Sequence, residues 1–396
     1  MANSAAGFSL APKAKKTFGG GQMTTLYRFV LAVGMLAVSS GSAFAVDLVY
    51  GSWPPQAEYI NRVTLPKIFA GIAKDTNGAV NWKLVPGGQL ADPKSTFQAA
   101  GEGLMQAGLG ISTYVPNLVP SLNTIYSTIV FGDDVVAATG AAVETLSLHC
   151  PSCIAEFKKI NLVPISGWTS SPYMLACREP VKSLADLKGK RVRATGGSTV
   201  LMSMMGAVPV AATLPEAVSL LQRGGLECQF GVHTWLKTFG YADFAKYLTN
   251  YPLGLTGPAI GLMMNRDAWN KLTPEQKKIH LKYAAQESAE LALGQFVIEN
   301  EQILKELTAT KGVVVEQVTD PKDFEAVIAK YEAAQRDKNI ADAKKFGVAD
   351  PAAIIDAYAS ARKRWAGLSK GIGRDIGKFT DAIWTEVYSK VDPSQL

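Results

Sequence analysis

The sequence predicts an α/β protein of two lobes with parallel or mixed sheets, on three observations. Segments of strand character alternate with segments of helical spacing almost throughout the chain after residue 45. Such alternation is typical of parallel strands covered by helices. The pattern restarts after Ser170, which indicates a second sheet. A helical stretch of about 35 residues, from Thr273 to Leu307, would extend about 50 Å and could cross both lobes.

The elements of the first lobe follow from apolar spacing and from turn residues. Asn77-Gly78 ends the first predicted helix, and Asp92 with Pro93 begins the second. Asp133-Asp134 begins the third, and these paired carboxylates are typical of a helix start rather than of acid–base catalysis. The predicted strands are 46–51, 80–85, 107–112 and 162–166, and the predicted helices are 58–74, 91–105 and 133–150.

The second lobe repeats the same alternation. Ser183 and Asp186 have the spacing of a capping box, so a short helix is expected at 183–189. Glycines end this helix and the next two. The predicted strands are 173–178, 190–194, 208–212 and 226–232, and the predicted helices are 183–189, 198–205 and 215–223.

The chain then returns towards the first lobe. A strand is expected within 256–269, and the capping box Thr273-Pro274-Glu275-Gln276 begins the long helix. The remainder is helical, with Asp320-Pro321 and Asp350-Pro351 as helix starts. The predicted domains are a leader at 1–45, a first lobe of 46–170 and 257–305, and a second lobe of 171–256 and 306–396 that includes the C-terminal helices.

The leader has the composition of a secretory signal peptide. Arg28 precedes the apolar run 29–38, and Ala43-Phe44-Ala45 is a cleavage signal, with Met23 as the expected start. The alternative is an N-terminal membrane anchor. The leader holds four of the 40 basic residues and none of the 34 acidic ones, so the remainder carries about +2. That charge excludes a nucleic-acid-binding surface, and no later stretch predicts stable membrane insertion.

Four cysteines remain after the leader. Export favours disulfides, and Cys150 and Cys153 form a C-x-x-C motif that follows a predicted helix rather than a strand. We therefore expect a structural disulfide here, with a redox or metal role as the alternative. His149 beside this pair supplies too few ligands for zinc, and no other metal motif occurs. Cys177 and Cys228 either pair or remain buried thiols.

Arg193 is the strongest candidate for ligand binding. It lies at the carboxyl end of the predicted strand 190–194, where open α/β sheets bind ligands. The following Gly196 begins a glycine-rich helix start, whose N–H groups favour an anion. An arginine at this position suits a carboxylate, and the alternative is an interdomain salt bridge. Arg191, two residues earlier, is interpreted as a surface arginine.

Aromatic residues collect at the same ends of the predicted strands. Together they predict an apolar-walled pocket, although each alone would more often belong to a core. They are Trp53, Tyr114, Trp168, Tyr173, Phe230 and Trp235. The sequence lacks the motifs of a nucleophile elbow and of a phosphate-binding loop, so it predicts no catalytic residue and no cofactor.

The stretch 180–227, which contains SLADLKGKRVR, GAVPV and PEAVSLLQRGGLE, resembles the solute-binding proteins of tripartite ATP-independent periplasmic (TRAP) transporters, the DctP-like family. Residues 87–108 and 262–280 are similar to it too. The resemblance implies a two-lobed periplasmic-binding-protein fold with hinge strands, a long lobe-spanning helix, and closure over an organic acid. The carboxylate-binding arginine of the family falls on Arg193.

The sequence departs from the family pattern in three places. Tyr173 stands near the position where some sialic-acid-binding members have a second arginine, which disfavours a polyanionic sugar acid. Leu226-Glu227-Cys228 replaces a usual Val/Leu-Asp-Gly, and Ala194-Thr195 replaces a usual proline. The change at Leu226-Glu227-Cys228 puts the contacts of residues 229–235 with a ligand in doubt.

The expected function is therefore capture of a small carboxylate in the periplasm and its delivery to the membrane subunits of a TRAP permease. One alternative is a solute receptor for an ABC importer or a sensor kinase. Another is an exported C-x-x-C oxidoreductase.

Overall fold

The computed structural model describes residues 45–396, so the predicted signal peptide lies outside the described residues. The strands are β1 Val46–Gly51, β2 Val80–Val85, β3 Ala107–Gly110, β4 Leu162–Pro164, β5 Met174–Cys177, β6 Arg191–Arg193, β7 Val208–Val210, β8 Cys228–Gly231, β9 Tyr247–Thr249, β10 Ile260–Asn265 and β11 Val314–Glu316.

Helices make up most of the remainder. They are α1 Leu65–Asp75, α2 Thr96–Gly101, α3 Pro120–Tyr126, α4 Val135–Glu144, α5 Pro151–Lys159, α6 Leu184–Leu187, α7 Gly197–Met204, α8 Leu214–Gln222, α9 His233–Thr238, α10 Arg266–Lys271, α11 Pro274–Ala289, α12 Asn300–Thr310, α13 Pro321–Lys345, α14 Pro351–Ile372 and α15 Ile376–Glu386. Three π-helical segments continue them at Ile60–Thr64, Thr145–His149 and Glu290–Glu299.

The strands form two mixed sheets. The first has the order β2-β1-β3-β10-β4, with β1 parallel to β2 and β3, and β10 antiparallel to both its neighbours. The second has the order β11-β9-β5-β8-β6-β7, in which β6 is parallel to β7 and β8. Strand β10 belongs to the first sheet although it follows the second sheet in the chain. The chain therefore crosses between the sheets more than once.

Two of these crossings run side by side. The segments 168–173 and 254–259 exchange backbone hydrogen bonds, including those that pair Trp168 with Ala259 at 3.1 and 2.9 Å. Tyr173 N–H donates to the carbonyl of Gly254 at 2.8 Å. These paired extended segments have the arrangement of hinge strands.

The long helix connects the same two parts of the molecule. Residues 274–310 form one continuous helical rod of 37 residues through α11, the π-helical segment and α12. Near one end, Lys282 and Tyr283 contact Asp75 of α1. Near the other, the Asn300 side chain accepts a hydrogen bond from the Thr234 N–H at the start of α9. The rod thus packs on elements of both sheets.

The C-terminal helices pack largely on the side of the first sheet. Helix α14 lies along α4, where the Trp365 ring faces Gly140 and its Nε1–H donates to Glu144 at 2.6 Å. Helix α15 packs on α11. Within residues 45–396, no helix combines the length and the apolar character needed to cross a bilayer.

Several predicted bounds differ from the structure. The helix expected at 91–105 is only α2, because the Asp92 side chain accepts from the N–H groups of Lys94 and Ser95 and holds a turn before the helix. Helices α3, α5 and α9 and strands β9 and β11 were not predicted. Each is nine residues or shorter, so its apolar spacing is too brief to give a clear period.

Candidate ligand-binding site

Arg193 ends β6 and is 3% exposed. Its Nε–H donates to the carbonyl of Ala212 at 2.9 Å, and Nη1 lies 3.5 Å from the carbonyl of Phe230. Nη2 lies 3.1 Å from the hydroxyl of Tyr114, which follows β3 of the first sheet. Every one of these partners is uncharged. Arg193 has no acidic partner among residues 45–396.

Arg191 has the opposite environment, although it begins the same three-residue strand. Its side chain is 44% exposed and forms an ion pair with Glu227. Nε donates to Glu227 Oε2 at 3.0 Å, and the backbone N–H of Arg191 donates to the same oxygen at 2.7 Å. Glu227, which departs from the family pattern, thus neutralises the charge of Arg191 and accepts its hydrogen bonds.

Tyrosine hydroxyls surround the Arg193 guanidinium. Tyr114, Tyr126, Tyr173 and Tyr241 are the groups whose electrostatic interaction with it is largest. Burial raises the pKa of Tyr126 and of Tyr241 well above the ordinary value, so both remain neutral. Neutral hydroxyls can hydrogen-bond a guanidinium or a ligand, but they do not compensate a buried positive charge.

An aromatic cavity of about 50 Å³ adjoins this cluster. Trp53, Trp168 and Trp235 line it, and these three come from different strand ends, as the sequence predicted. Trp53 is fixed by a hydrogen bond from Nε1–H to the carbonyl of Leu109 at 3.1 Å. Its ring lies edge-on to that of Tyr114 at 6.3 Å, and Tyr126 also lines the cavity. Arg193 does not itself line the cavity, and Trp53 and Tyr114 connect its guanidinium to it.

Tyr173 and Phe230 complete the second-sheet side of this cluster. The Tyr173 ring lies edge-on to Phe230 at 5.2 Å and to Trp235 at 5.4 Å. Trp235 is held on α9, whose first turn is capped by Asn300 of the long helix. The long helix thus positions one wall of the cavity.

Gly196 lies elsewhere. It lines a separate groove of about 340 Å³ together with Ser127 and Asn339. A Cβ at Gly196 would lie 3.1 Å from Ser127 Oγ and 3.2 Å from Thr113 Oγ1, and its φ is +58°. Glycine is therefore required there by backbone conformation and by the close approach of the first-sheet loops. The structure does not bring Gly196 into the aromatic cavity.

Residues 63–337 match the family described as bacterial extracellular solute-binding protein, family 7 (DctP). The chain belongs to this family. Solved structures of similar fold are TRAP periplasmic solute-binding proteins, which confirms the resemblance found in the sequence and the two-lobed α/β fold.

Three relatives illustrate the range of this solute-binding family. The uncharacterized protein YiiZ of Salmonella typhimurium is 32% identical over 119 residues, so the match covers 28% of this chain and 35% of that protein. A monocarboxylate 2-oxoacid-binding periplasmic protein of Nostoc sp. is 25% identical, and the match covers 65% of this chain and 70% of that protein. A marine metagenome TRAP solute-binding protein specific for aromatic acid ligands was solved with 3-hydroxybenzoate. It is 19% identical with a TM-score of 0.70, and the match covers 81% of this chain and 99% of that one. At that identity, the structural likeness shows the fold alone.

Several cavity residues of this solute-binding protein were missed from the sequence. Glu58, Ser170 and Gln295 line the cavity beside the tryptophans. Glu58 follows β1 and looks like an ordinary acid near a helix start. Gln295 lies in the long helix, where nothing in the pattern marks it. Burial raises the pKa of Glu58 to about 7, so this carboxyl is partly protonated near neutral pH.

Both cysteine pairs are disulfide-bonded in the structure. Cys150 and Cys153 pair, and Cys177 pairs with Cys228 across the antiparallel strands β5 and β8. Cys228 is the residue that replaces the usual glycine of the family. The first pair follows a helix, as predicted, but it also opens α5, with Cys150 as N-cap, which the sequence interpretation missed. Within the described chain, no cluster of three or more His, Cys, Asp or Glu side chains gathers as a metal site would.

Proposed function

We propose that the protein captures a small organic acid between its two lobes, with the carboxylate bound by Arg193. The observation that supports this most is a guanidinium that is 97% buried and has only uncharged partners in the described chain. A buried charge without a counterion is costly. A ligand carboxylate would supply that counterion and could accept two parallel N–H bonds from the fork.

The walls of the cavity indicate what the acid carries besides its carboxylate. Trp53, Trp168 and Trp235 offer apolar and aromatic faces that suit a compact apolar or aromatic body. Relatives described as binding 2-oxoacids and 3-hydroxybenzoate are consistent with that class. We extend the proposal to one carboxylate per ligand, because Arg193 is the only arginine or lysine that is buried within residues 45–396.

Entry of such a ligand requires the lobes to separate. The cavity of about 50 Å³ is far below the ~300 Å³ or more of typical ligand pockets. The hinge strands 168–173 and 254–259 are the segments where the lobes would rotate. Delivery of the bound acid to the membrane subunits of a TRAP permease, in the periplasm, completes the proposed role.

Catalysis by the C-x-x-C pair is not part of this proposal. Attack on a disulfide needs a sulfur that a partner thiolate can reach. Cys150 is 1% exposed and Cys153 is fully buried. Their burial favours a structural disulfide over an exported oxidoreductase.

The test is a calorimetric binding screen with a matched pair of variants on one strand. The wild-type protein is screened by thermal shift against 2-oxoacids, hydroxybenzoates and pyroglutamate, and the best acid is titrated into R193M, R193K and R191M. Loss of one partner of a buried ion pair costs ~2–5 kcal/mol. We therefore expect affinity to fall at least about 30-fold in R193M, to fall less in R193K, and to stay within about twofold in R191M.

The melting temperature without ligand serves as the folding control for each variant. A folded R193M protein that binds the acid as tightly as the wild type would contradict the role of Arg193. A wild-type protein that binds none of the organic acids would contradict the proposed function as a whole.

A further inference from the structure

Glu58 contributes an uncommitted acceptor atom to the aromatic cavity. Its side chain is 4% exposed and lines the cavity with Trp53 and Trp168. Gln295 Nε2 donates a hydrogen bond to Oε1. The other oxygen, Oε2, is buried and has no hydrogen-bond partner within residues 45–396. An unsatisfied buried acceptor costs roughly 1–3 kcal/mol, so an isolated structural role explains this carboxyl poorly.

The neighbouring charged groups do not satisfy Glu58. Arg62 is the nearest cation that acts on it, but Arg62 is largely exposed and forms an ion pair with Glu299. The side chains of Thr238 of α9 and Gln295 of the long helix act on the carboxyl as hydrogen-bond donors and lower its pKa, although Thr238 leaves Oε2 without a partner at hydrogen-bond distance. Burial outweighs them and raises the pKa of Glu58 to about 7. Either protonation state leaves an oxygen that can accept a hydrogen bond.

Arg193 does not line the cavity, but neighbouring aromatic side chains connect it to Glu58. Trp53 lines the cavity with Glu58 and contacts Tyr114, whose hydroxyl is 3.1 Å from Arg193 Nη2. A ligand whose carboxylate contacts Arg193 would therefore extend its body towards Glu58.

We propose that Glu58, positioned by Gln295, is a specificity-determining residue that accepts a hydrogen bond from a hydroxyl or N–H group of the bound acid. This inference rests on the proposed function and narrows its ligand to acids that carry a hydrogen-bond donor besides the carboxyl group. A site built around a buried acceptor rejects the analogue that lacks the donor, because the acceptor is then left unpaired.

Pairs of acids that differ only in the donor test this inference. The probes are benzoate with its 2-, 3- and 4-hydroxy derivatives, phenylacetate with mandelate, and cyclopentanecarboxylate with pyroglutamate. Calorimetry gives the affinity ratio of donor-bearing to donor-free acid in each pair. For the pair whose donor-bearing member binds most tightly, we expect a ratio of at least tenfold in the wild-type protein.

Three variants test whether the Glu58 side chain causes this affinity ratio. In E58L the ratio should fall to about one, while the donor-free acid keeps its affinity within about threefold. E58Q retains an acceptor oxygen and should keep most of the ratio. E301Q removes an exposed carboxylate of the same long helix that neither lines the cavity nor acts on Glu58, and should leave the ratio unchanged.

The outcomes separate the two proposals. If the tightest ligand has no donor, or if a folded E58L protein keeps the wild-type ratio while R193M loses both acids, the role of Glu58 is wrong and the proposed function stands. If the wild type binds none of these acids or the 2-oxoacids, the proposed function fails, and the role of Glu58 fails with it. If the melting curve shows that E58L is unfolded, E58A replaces it. A ratio near one in E58A supports the inference, and the wild-type ratio in a folded E58A protein overturns it.

Discussion

Arg193 and Arg191 show how one residue's surroundings decide its role. Both lie on β6 with the same side-chain parity, yet only Arg191 has an acidic partner, Glu227. The sequence could identify Arg193 because its position at the carboxyl end of a parallel strand follows from the order of elements. It could not identify Glu227 as the partner of Arg191, because that pairing depends on the register between β6 and β8.

Glu58 and Gln295 show the limit of prediction at this scale. Trp53, Trp168 and Trp235 could be predicted because each lies near a strand end, and strand ends meet by topology. Glu58 and Gln295 meet because the segment 290–299 of the long helix packs on the π-helical segment Ile60–Thr64, which no local pattern specifies. Gly196 was expected near the ligand on its glycine-rich sequence. Glycine is instead needed at this position because Ser127 and Thr113 approach its backbone too closely for a larger side chain.

Glu287 gives a prediction at the residue scale. This buried side chain of α11 accepts a hydrogen bond from Ser166 Oγ at 2.6 Å, and burial raises its pKa to about 7. The folded protein therefore holds this proton more tightly than the unfolded chain between about pH 4.5 and 7. The stability of the wild type relative to E287Q should fall as pH rises through that window, by up to about 3 kcal/mol at pH 8.

Urea denaturation at pH 5 and pH 8 measures this difference. E275Q, a substitution of an exposed glutamate in the first turn of the same helix, is the control and should differ little from wild type at both pH values. Equal stability differences between E287Q and wild type at the two pH values would contradict the account of this buried carboxyl.

At the scale of elements, side-chain caps made the prediction reliable. The capping boxes predicted at Ser183 and Thr273 are both formed, and β1 and β2 have their expected bounds. The π-helical segments could not be predicted, because five to ten residues are too few for apolar spacing to separate a π-helical period from an α-helical one. Short helices such as α5 were likewise hidden by the helix that precedes them.

The two disulfides should contribute unequally to stability. Cys177–Cys228 closes a loop with a sequence separation of 51, and Cys150–Cys153 closes one with a separation of 3. Because loop closure restricts the unfolded chain more for a longer loop, loss of the first should cost about 4 kcal/mol and loss of the second about 2 kcal/mol. Urea denaturation of C177A/C228A and C150A/C153A measures both losses, and a larger loss for C150A/C153A would contradict this expectation.

At the scale of the whole molecule, several segments within residues 45–396 join the lobes, among them the two hinge strands, the long helix and α13. The two hinge strands pair along their length, and the long helix packs on α1 at one end and on α9 at the other. The ligand cluster lies between them, with Tyr114 from the first-sheet side and Arg193 from the second-sheet side. A rotation at the hinge would therefore separate the two halves of the site together. The two-sheet architecture could be predicted because restarted alternation and a long capped helix are both visible in the sequence.

The central claim is that Arg193 receives the carboxylate of the transported acid. The most direct measurement is a crystal structure of the protein with the acid that gives the largest thermal shift. The account predicts two carboxylate oxygens at about 2.7–2.9 Å from guanidinium nitrogens of Arg193, with the body of the acid among Trp53, Trp168 and Trp235. A ligand bound in the groove beside Gly196, or a carboxylate held by other residues while Arg193 keeps only its uncharged partners, would contradict it.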